Sequence, residues 1–342
     1  MDVLSWTLII GGTTLAGIVL LVFLFMTFVV LRYGGIVIRI FEEKPFFLVK
    51  RPPPLQDRPV EQVRFRTRDG VELAGSYLRT RAPVRRGVIL FAPEYGASRL
   101  TCLSYAGHLL DQGFDVFSFD FRNTGESGRR SGYEPLQWVT NHEVRDVTAA
   151  IAYLRSRPDA PQDGIGFFGV SRGAGAGLLA GERDPWVRCF VTDGMFGTIN
   201  TMMVYMYKWI ALYSTLSWLR PYLPPLFYRV LARVVLCIVA IRRRSMFPSM
   251  KYALGRLAPR PLLMIHGGND SYIKLEIAEG LFNLAREPKE MWVVPGAKHN
   301  QAVVVEAEQY QQRLAAFFQK NLAPLPEGAA APAAVQWAVS SA

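Results

Sequence analysis

The sequence predicts an α/β fold: a mostly parallel central sheet with helices on both faces, preceded by one membrane-spanning helix and interrupted by a helical cap. Three observations predict it. Residues Val3 to Leu31 carry no charge, a run longer than the roughly twenty apolar residues that cross a bilayer. Short, almost wholly apolar runs then alternate with helical stretches, as strands covered on both faces do. The alternation lapses once, between Asp193 and Pro261.

The N-terminal run reads as an anchor (1–33) rather than a cleaved signal peptide. Only Asp2 precedes it where a signal would carry basic residues, and its apolar core is too long. Arg32, Arg39, Lys44, Lys50, Arg51, Arg58, Arg64, Arg66 and Arg68 follow with few acids among them. The positive-inside rule therefore puts the C-terminal side in the cytoplasm, as a single-pass membrane protein. Pro52-Pro53-Pro54 stiffens a juxtamembrane linker (34–60).

Val63–Thr67 and Val71–Leu78 alternate about Arg68-Asp69-Gly70, the pattern of a hairpin with a D-G turn. Val88–Ala92 reads as a buried strand, followed by the loop Pro93–Ser98 and a helix from Arg99 to Gln112. Val116–Phe121 is the next strand, running into the loop Arg122–Gly128, and a helix spans Asn141 to Arg155. Phe167, Phe168 and Val170 mark a strand, and small residues with Leu178-Leu179 mark the helix after it. Val187–Asp193, Pro261–His266 and the run from Met291 complete the strands, with helices after the last two. The α/β domain is thus 61–194 with 256–321, and the Ala- and Pro-rich tail 322–342 is read as disordered.

The cap, 195–255, is rich in aromatic and aliphatic residues but is cut by Lys208, Arg220, Arg229, Arg233, Pro221, Pro224 and Pro225. No uninterrupted stretch of bilayer length remains, so two or three amphipathic helices are expected rather than a second span. Trp209 and Trp218 suit the headgroup boundary, giving the cap an interfacial role. The net charge is +11, from 39 Lys and Arg against 28 Asp and Glu. Much of the excess follows the apolar run or lies in Arg242-Arg243-Arg244, which points to anionic lipid and away from nucleic acid. Cys102, Cys189 and Cys237 show neither metal spacing nor a disulfide framework, consistent with a reducing compartment.

Between the Phe167–Val170 strand and its helix stands Gly169-Val170-Ser171-Arg172-Gly173. In a nucleophile elbow of this form the serine sits on a strained turn, and the glycines allow strand and helix to approach. The Arg172 amide opens the helix and faces a developing oxyanion. His266-Gly-Gly-Asn-Asp270 follows one late strand, Gly296-Ala-Lys-His299 follows the last, and Asp120-Phe-Arg122-Asn-Thr-Gly125-Glu-Ser127 forms a D-x-R-x-x-G-x-S loop. In these motifs, and in the order Ser, acid, His, the chain resembles the serine α/β-hydrolases over roughly residues 60–320.

The resemblance implies Ser171 as nucleophile, His299 as base and Asp270 as the carboxylate that orients the imidazole, with Asp193 the alternative acid. Tyr95 aligns with the usual first oxyanion donor and Arg172 supplies the second. Pro93-Glu94 departs from the family's His-Gly, and proline has no N–H to donate. Glu94 is placed near the mouth, where it would repel anionic substrates unless Arg99 neutralises it. Asp120 and Arg122 are read as holding their loop, and His108, His142 and His266 as structural.

The implied function is a membrane-anchored serine hydrolase cleaving acyl esters or thioesters through an acyl-enzyme on Ser171, acting on a small-molecule or lipid substrate without metal or cofactor. A peptidase or amidase of the same fold, similar to prolyl-oligopeptidase-like catalytic domains, is the alternative within the fold, though no propeller-sized N-terminal region is present. The non-enzymatic alternative is a membrane-tethered scaffold binding lipid or protein, against which the intact Ser/Asp/His set argues. Serine in place of an aspartate nucleophile disfavours halide cleavage.

Overall fold

A computed structural model describes residues 3–43, 52, 60–213 and 217–322. The predicted linker beyond Glu43, except Pro52 and Val60, and the predicted tail beyond Leu322 lie outside the described residues. The chain divides into two compact units, Met1–Lys44 with Met202–Arg242 and Pro45–Thr201 with Arg243–Ala342.

The larger unit is built on an eight-stranded sheet of order β1-β2-β4-β3-β5-β6-β7-β8. The hairpin β1 (Val60–Arg66) and β2 (Glu72–Leu78) pairs antiparallel, and β2 joins β4 (Phe114–Phe119) antiparallel. All later pairings are parallel, among β3 (Gly87–Ala92), β4, β5 (Ile165–Val170), β6 (Val187–Asp193), β7 (Leu262–Gly267) and β8 (Lys289–Val294).

Every residue of β4, β5 and β7 is buried, which is why these strands read as largely apolar runs, with Asp115, Ser118 and His266 the buried polar exceptions. Successive side chains feed opposite cores. Leu90 and Phe167 join Val147, Leu178 and Leu254 on one face, and Phe91 and Phe168 join Leu109, Leu314 and Phe318 on the other.

The first face is covered by α3 (Asn141–Ser156), α4 (Arg172–Gly181), α7 (Met250–Arg256) and α8 (Leu275–Phe282). A capping box starts α3: the Thr140 hydroxyl accepts from the His142 amide, while Glu143 accepts from the Thr140 amide at 2.8 Å. The second face carries α2 (Cys102–Ala106) and α10 (Ala307–Leu322), the latter preceded by the short α9 (Ala302–Val305). The predicted helix Arg99–Gln112 is therefore mostly not α-helical. It is α2 flanked by 3-10 turns, Arg99–Thr101 and Gly107–Gln112, because Ala106 leaves helical geometry at φ −119°, ψ 1°.

The smaller unit contains α1 (Val3–Glu42), most of α5 (Thr198–Tyr213), a 3-10 turn (Ser217–Tyr222) and α6 (Pro225–Arg243). Helix α1 is long and apolar enough to cross a membrane, and its residues from Trp6 to Leu24 are exposed. It does not end at residue 33, where the sequence predicts a linker, because Val37, Ile38 and Phe41 are buried and sustain the helix to Glu42. The Phe25 and Phe227 rings lie 5.9 Å apart and Arg242 is 3.8 Å from Glu42, so α1 and α6 run parallel side by side.

The predicted cap, 195–255, is also trimmed at both ends. Met195, Met250 and Leu254 belong to the core of the larger unit, whereas the smaller unit takes only Met202–Arg242 from this region.

Candidate active site

Strand β5 ends at Val170, α4 starts at Arg172, and Ser171 between them has φ 51° and ψ −116°. Residues with a Cβ avoid this region, so the surroundings must impose it. The flanking glycines make the turn possible. A Cβ on Gly169 would lie 2.5 Å from Ala174 Cα, and one on Gly173 would collide with the carbonyl oxygens of Ala92 and Pro93. The Ser171 amide donates to the Asp193 carbonyl at 2.7 Å, fastening the turn to β6.

Parallel strands deliver their following loops to one edge of the sheet, and three of these loops meet there. Ser171 Oγ lies 2.9 Å from His299 Nε2, and His299 Nδ1 lies 2.6 Å from Asp270 Oδ2. The other carboxylate oxygen, Asp270 Oδ1, accepts the amides of Tyr272 and Ile273, each at 2.8 Å. Those two bonds orient the carboxylate, leaving Oδ2 for the imidazole. With Nδ1–H donating to Asp270 Oδ2, the tautomer this contact favours, the Nε2 lone pair faces the serine hydroxyl. The Tyr272 ring stands 5.3 Å from the imidazole and limits its rotation. Such an arrangement can remove the Ser171 proton as Oγ forms a bond and hold the resulting charge between imidazole and carboxylate.

Asp193, the alternative acid, has a partner of its own: its Oδ2 accepts the Tyr310 hydroxyl at 2.8 Å. Its contribution to the site is the carbonyl that holds Ser171. His266 is buried beside the pair, donating from Nε2 to the Ile273 carbonyl at 2.9 Å. Burial lowers its pKa, so its ring is neutral.

Arg172 and Tyr95, the two residues assigned to the oxyanion site, meet through their side chains. The Arg172 guanidinium, 1 % exposed, lies 5.0 Å from the Tyr95 ring centroid and 5.0 Å from that of Phe121. It donates to the Leu136 carbonyl at 2.8 Å and sits 3.6 Å from Glu143. Burial of this arginine is not visible in the motif, where it occupies a variable position; the acids and aromatics around it come from distant segments.

Glu94 is not at an open mouth neutralised by Arg99. Its side chain is buried and accepts from the Tyr105 hydroxyl at 3.0 Å. Burial, together with Glu94 and Asp193, raises the Tyr105 pKa and keeps that hydroxyl protonated. Arg99 is held elsewhere, by Asp120 at 2.5 Å and Glu126 at 3.0 Å.

The D-x-R loop is a structural clamp. Asp120 accepts from the Arg99 and Glu126 amides, and the buried Arg122 bonds Asp146 at 2.7 Å and Asp69 at 2.8 Å. The Arg122 hydrogen bonds hold the Asp69 carboxyl well below the usual carboxylate range. His142 lies 3.3 Å from Arg122 and from the Arg244 carbonyl, and burial pushes His108 down to about 4.

Over 256 residues the chain is 24% identical to the uncharacterized protein YfhR of Escherichia coli O157:H7, spanning 70% of this chain and 73% of that one. It is 25% identical over 284 residues to PA2218 of Pseudomonas aeruginosa, spanning 70% and 74%. The PA2218 crystal structure matches 82% of this chain and 100% of its own with a TM-score of 0.59 at 21% identity. The Pyrococcus furiosus esterase Pf2001 matches 82% of this chain and 98% of its own with a TM-score of 0.61 at 20% identity, a likeness of fold. The model of the alpha/beta hydrolase family matches residues 88–317, from β3 into α10. A match of that length, on a sheet of this order and pairing, means that the chain belongs to the alpha/beta hydrolase family.

Proposed function

We propose that this hydrolase is membrane-anchored and cleaves acyl ester or thioester bonds through an acyl-enzyme on Ser171. The observation that carries this reading is the unbroken chain from Ser171 Oγ to His299, at 2.9 Å, and from His299 to Asp270, at 2.6 Å. In the proposed reaction Oγ attacks the acyl carbon while His299 Nε2 takes its proton. Asp270 holds the imidazole tautomer and stabilises the imidazolium. The backbone amides of Tyr95 and Arg172 donate to the oxyanion, the latter aided by the positive end of α4. His299 then gives its proton to the leaving alkoxide or thiolate. Water attacks the acyl-enzyme through the same base, releasing the acid and restoring Ser171.

The anchor is α1, whose exposed apolar residues Trp6 to Leu24 are followed by Arg32 and Arg39. That charge bias supports a cytoplasmic catalytic unit. An ester rather than an amide substrate is favoured by the fold shared with the Pyrococcus furiosus esterase.

Labelling with a fluorophosphonate and turnover of graded ester, thioester and amide series test the reading. Ser171→Ala is expected to abolish labelling and to lower ester turnover by on the order of a million-fold. Labelling of that variant at the wild-type level would remove Ser171 from the mechanism. Amide turnover without ester turnover would favour a peptidase or amidase instead.

A further inference from the structure

We propose that the smaller unit holds an acyl chain of a membrane phospholipid in a cleft between α1, α5 and α6, a site separate from the Ser171 chemistry; this rests on the reading of α1 as a membrane anchor. The cleft is narrow, about 40 Å³, and its walls include Phe25, Val29 and Val37 of α1, Met206 of α5, and Phe227 and Leu231 of α6. These walls are almost wholly carbon, so nothing in the cleft rewards a polar ligand. A few methylenes of a slender, deformable chain fit a slot of this size and a headgroup does not. Met206 adds a side chain that repacks readily around a guest.

Position argues for a lipid over any other apolar molecule. The exposed stretch Trp6 to Leu24 is about 27 Å long at the helical rise, close to the hydrocarbon thickness of a bilayer. The cleft begins at the next residue, Phe25, and follows α1 to Val37. Its near end is set by the 5.9 Å contact of Phe25 with Phe227, so the cleft opens where the exposed stretch ends, still within the apolar run.

The cleft's surroundings are those of a headgroup layer. Tyr213 lines the cleft and is exposed, and Trp218 and Tyr222 of the 3-10 turn and Leu226 at the start of α6 are exposed as well. Aromatic residues of this kind favour the membrane–water boundary. Arg32, the first charge after the apolar run, lies exposed with its guanidinium 5.4 Å from the ring of Tyr33, another wall residue. A phosphate beside Arg32 would leave its chain next to Val29. Tethering keeps that chain at the concentration of the bilayer itself, so even weak affinity fills the site.

The full chain is reconstituted in phosphatidylcholine vesicles that contain an ether-linked phosphatidylcholine with a diazirine in its alkyl chain, which an esterase cannot cleave. After illumination, labelled peptides are mapped. Label is expected on residues 6–24 and also on Val29–Val37 and Met206–Ile210. Gly34 is another wall residue, and its missing side chain leaves open space, with Val30 the nearest atom at 3.6 Å from a built Cβ. Gly34→Leu should lower the cleft label at least fivefold while the label on residues 6–24 and turnover of a short water-soluble ester stay unchanged. Wild-type label confined to residues 6–24, or cleft label that survives Gly34→Leu, overturns the lipid site and leaves the anchor standing. Absence of label from both regions overturns the anchor and the site with it.

Discussion

The Tyr310 hydroxyl donates to Asp193 at 2.8 Å while Asp270 stands 2.6 Å from His299. Asp193 ends β6 and Asp270 follows the neighbouring β7, and their partners differ. Under the proposed mechanism Asp270→Asn should lower kcat by several orders of magnitude without unfolding the protein, because the amide favours the wrong imidazole tautomer. Asp193→Asn should cost activity by less than about tenfold, since the Ser171 amide bonds its backbone carbonyl and not its side chain. Steady-state kinetics on the two variants, with circular dichroism as the folding control, check the pair; the reverse order would move the acid to β6.

Under the proposed mechanism Arg172 positions the loop that carries Tyr95. Its guanidinium lies 5.0 Å from the Tyr95 ring and is anchored to the Leu136 carbonyl at 2.8 Å. Arg172→Met keeps the backbone amide at the start of α4 but releases the loop. We expect kcat to fall by about tenfold to a hundredfold, with KM changed less than threefold, because a misplaced donor weakens the transition state more than the ground state. Equal losses in kcat and in thermal stability for Arg172→Lys would mark the arginine as packing alone.

Gly173→Ala tests the elbow. The new Cβ would meet two backbone carbonyl oxygens, Ala92 and Pro93, which cannot rotate away as a side chain could. Overpacking of this kind costs about 1–3 kcal/mol, read as a lower urea midpoint. The same displacement reaches the loop before Tyr95, so ester turnover should fall at least tenfold. A variant with wild-type stability and turnover would contradict the close approach of α4 to β3.

His108 should make the protein acid-sensitive. Burial pushes it from 6.5 down to about 4, so the unfolded chain binds a proton in this interval and the folded chain does not. Its contribution is fully present above pH 6.5 and is lost as the pH falls through the interval, to a total of at most about 3 kcal/mol. His108→Gln should therefore lose less stability than wild type between pH 7.5 and pH 4.5. Urea unfolding in detergent at both values measures the difference, and parallel losses in the two proteins would assign the acid sensitivity elsewhere.

The charge bias after the apolar run predicts the orientation of the proposed anchor. A C-terminal reporter that is active only in the cytoplasm should give signal, and one active only after export should not. Replacing Arg32 and Arg39 by neutral residues should raise the exported fraction.

Much of the fold is legible because its signals are local. A strand buried on both faces, such as β5, must be apolar throughout, and the turn at Ser171 needs Gly169 and Gly173 within two residues of it. The loops bearing Ser171, Asp270 and His299 each follow a parallel strand, so the topology alone sends them to one edge. The broken helix at Ala106 was hidden because residues Arg99 to Gln112 carry helical periodicity while distant Asp120 ties down its first residue.

The sequence by itself determined the alternation of strands and helices, the strained serine turn and the apolar run of α1, since each is a property of neighbouring residues. Only the tertiary structure set Asp270 2.6 Å from His299 and gave Asp193 the Tyr310 hydroxyl, which arrives from 117 residues away. Only it buried Arg172 beside Tyr95, and only it extended α1 to Glu42 and gave Met195 and Met250 to the larger core. The physical reason is common to all four: burial, and the partner a polar group finds once buried, belong to the packed chain and not to any stretch of it.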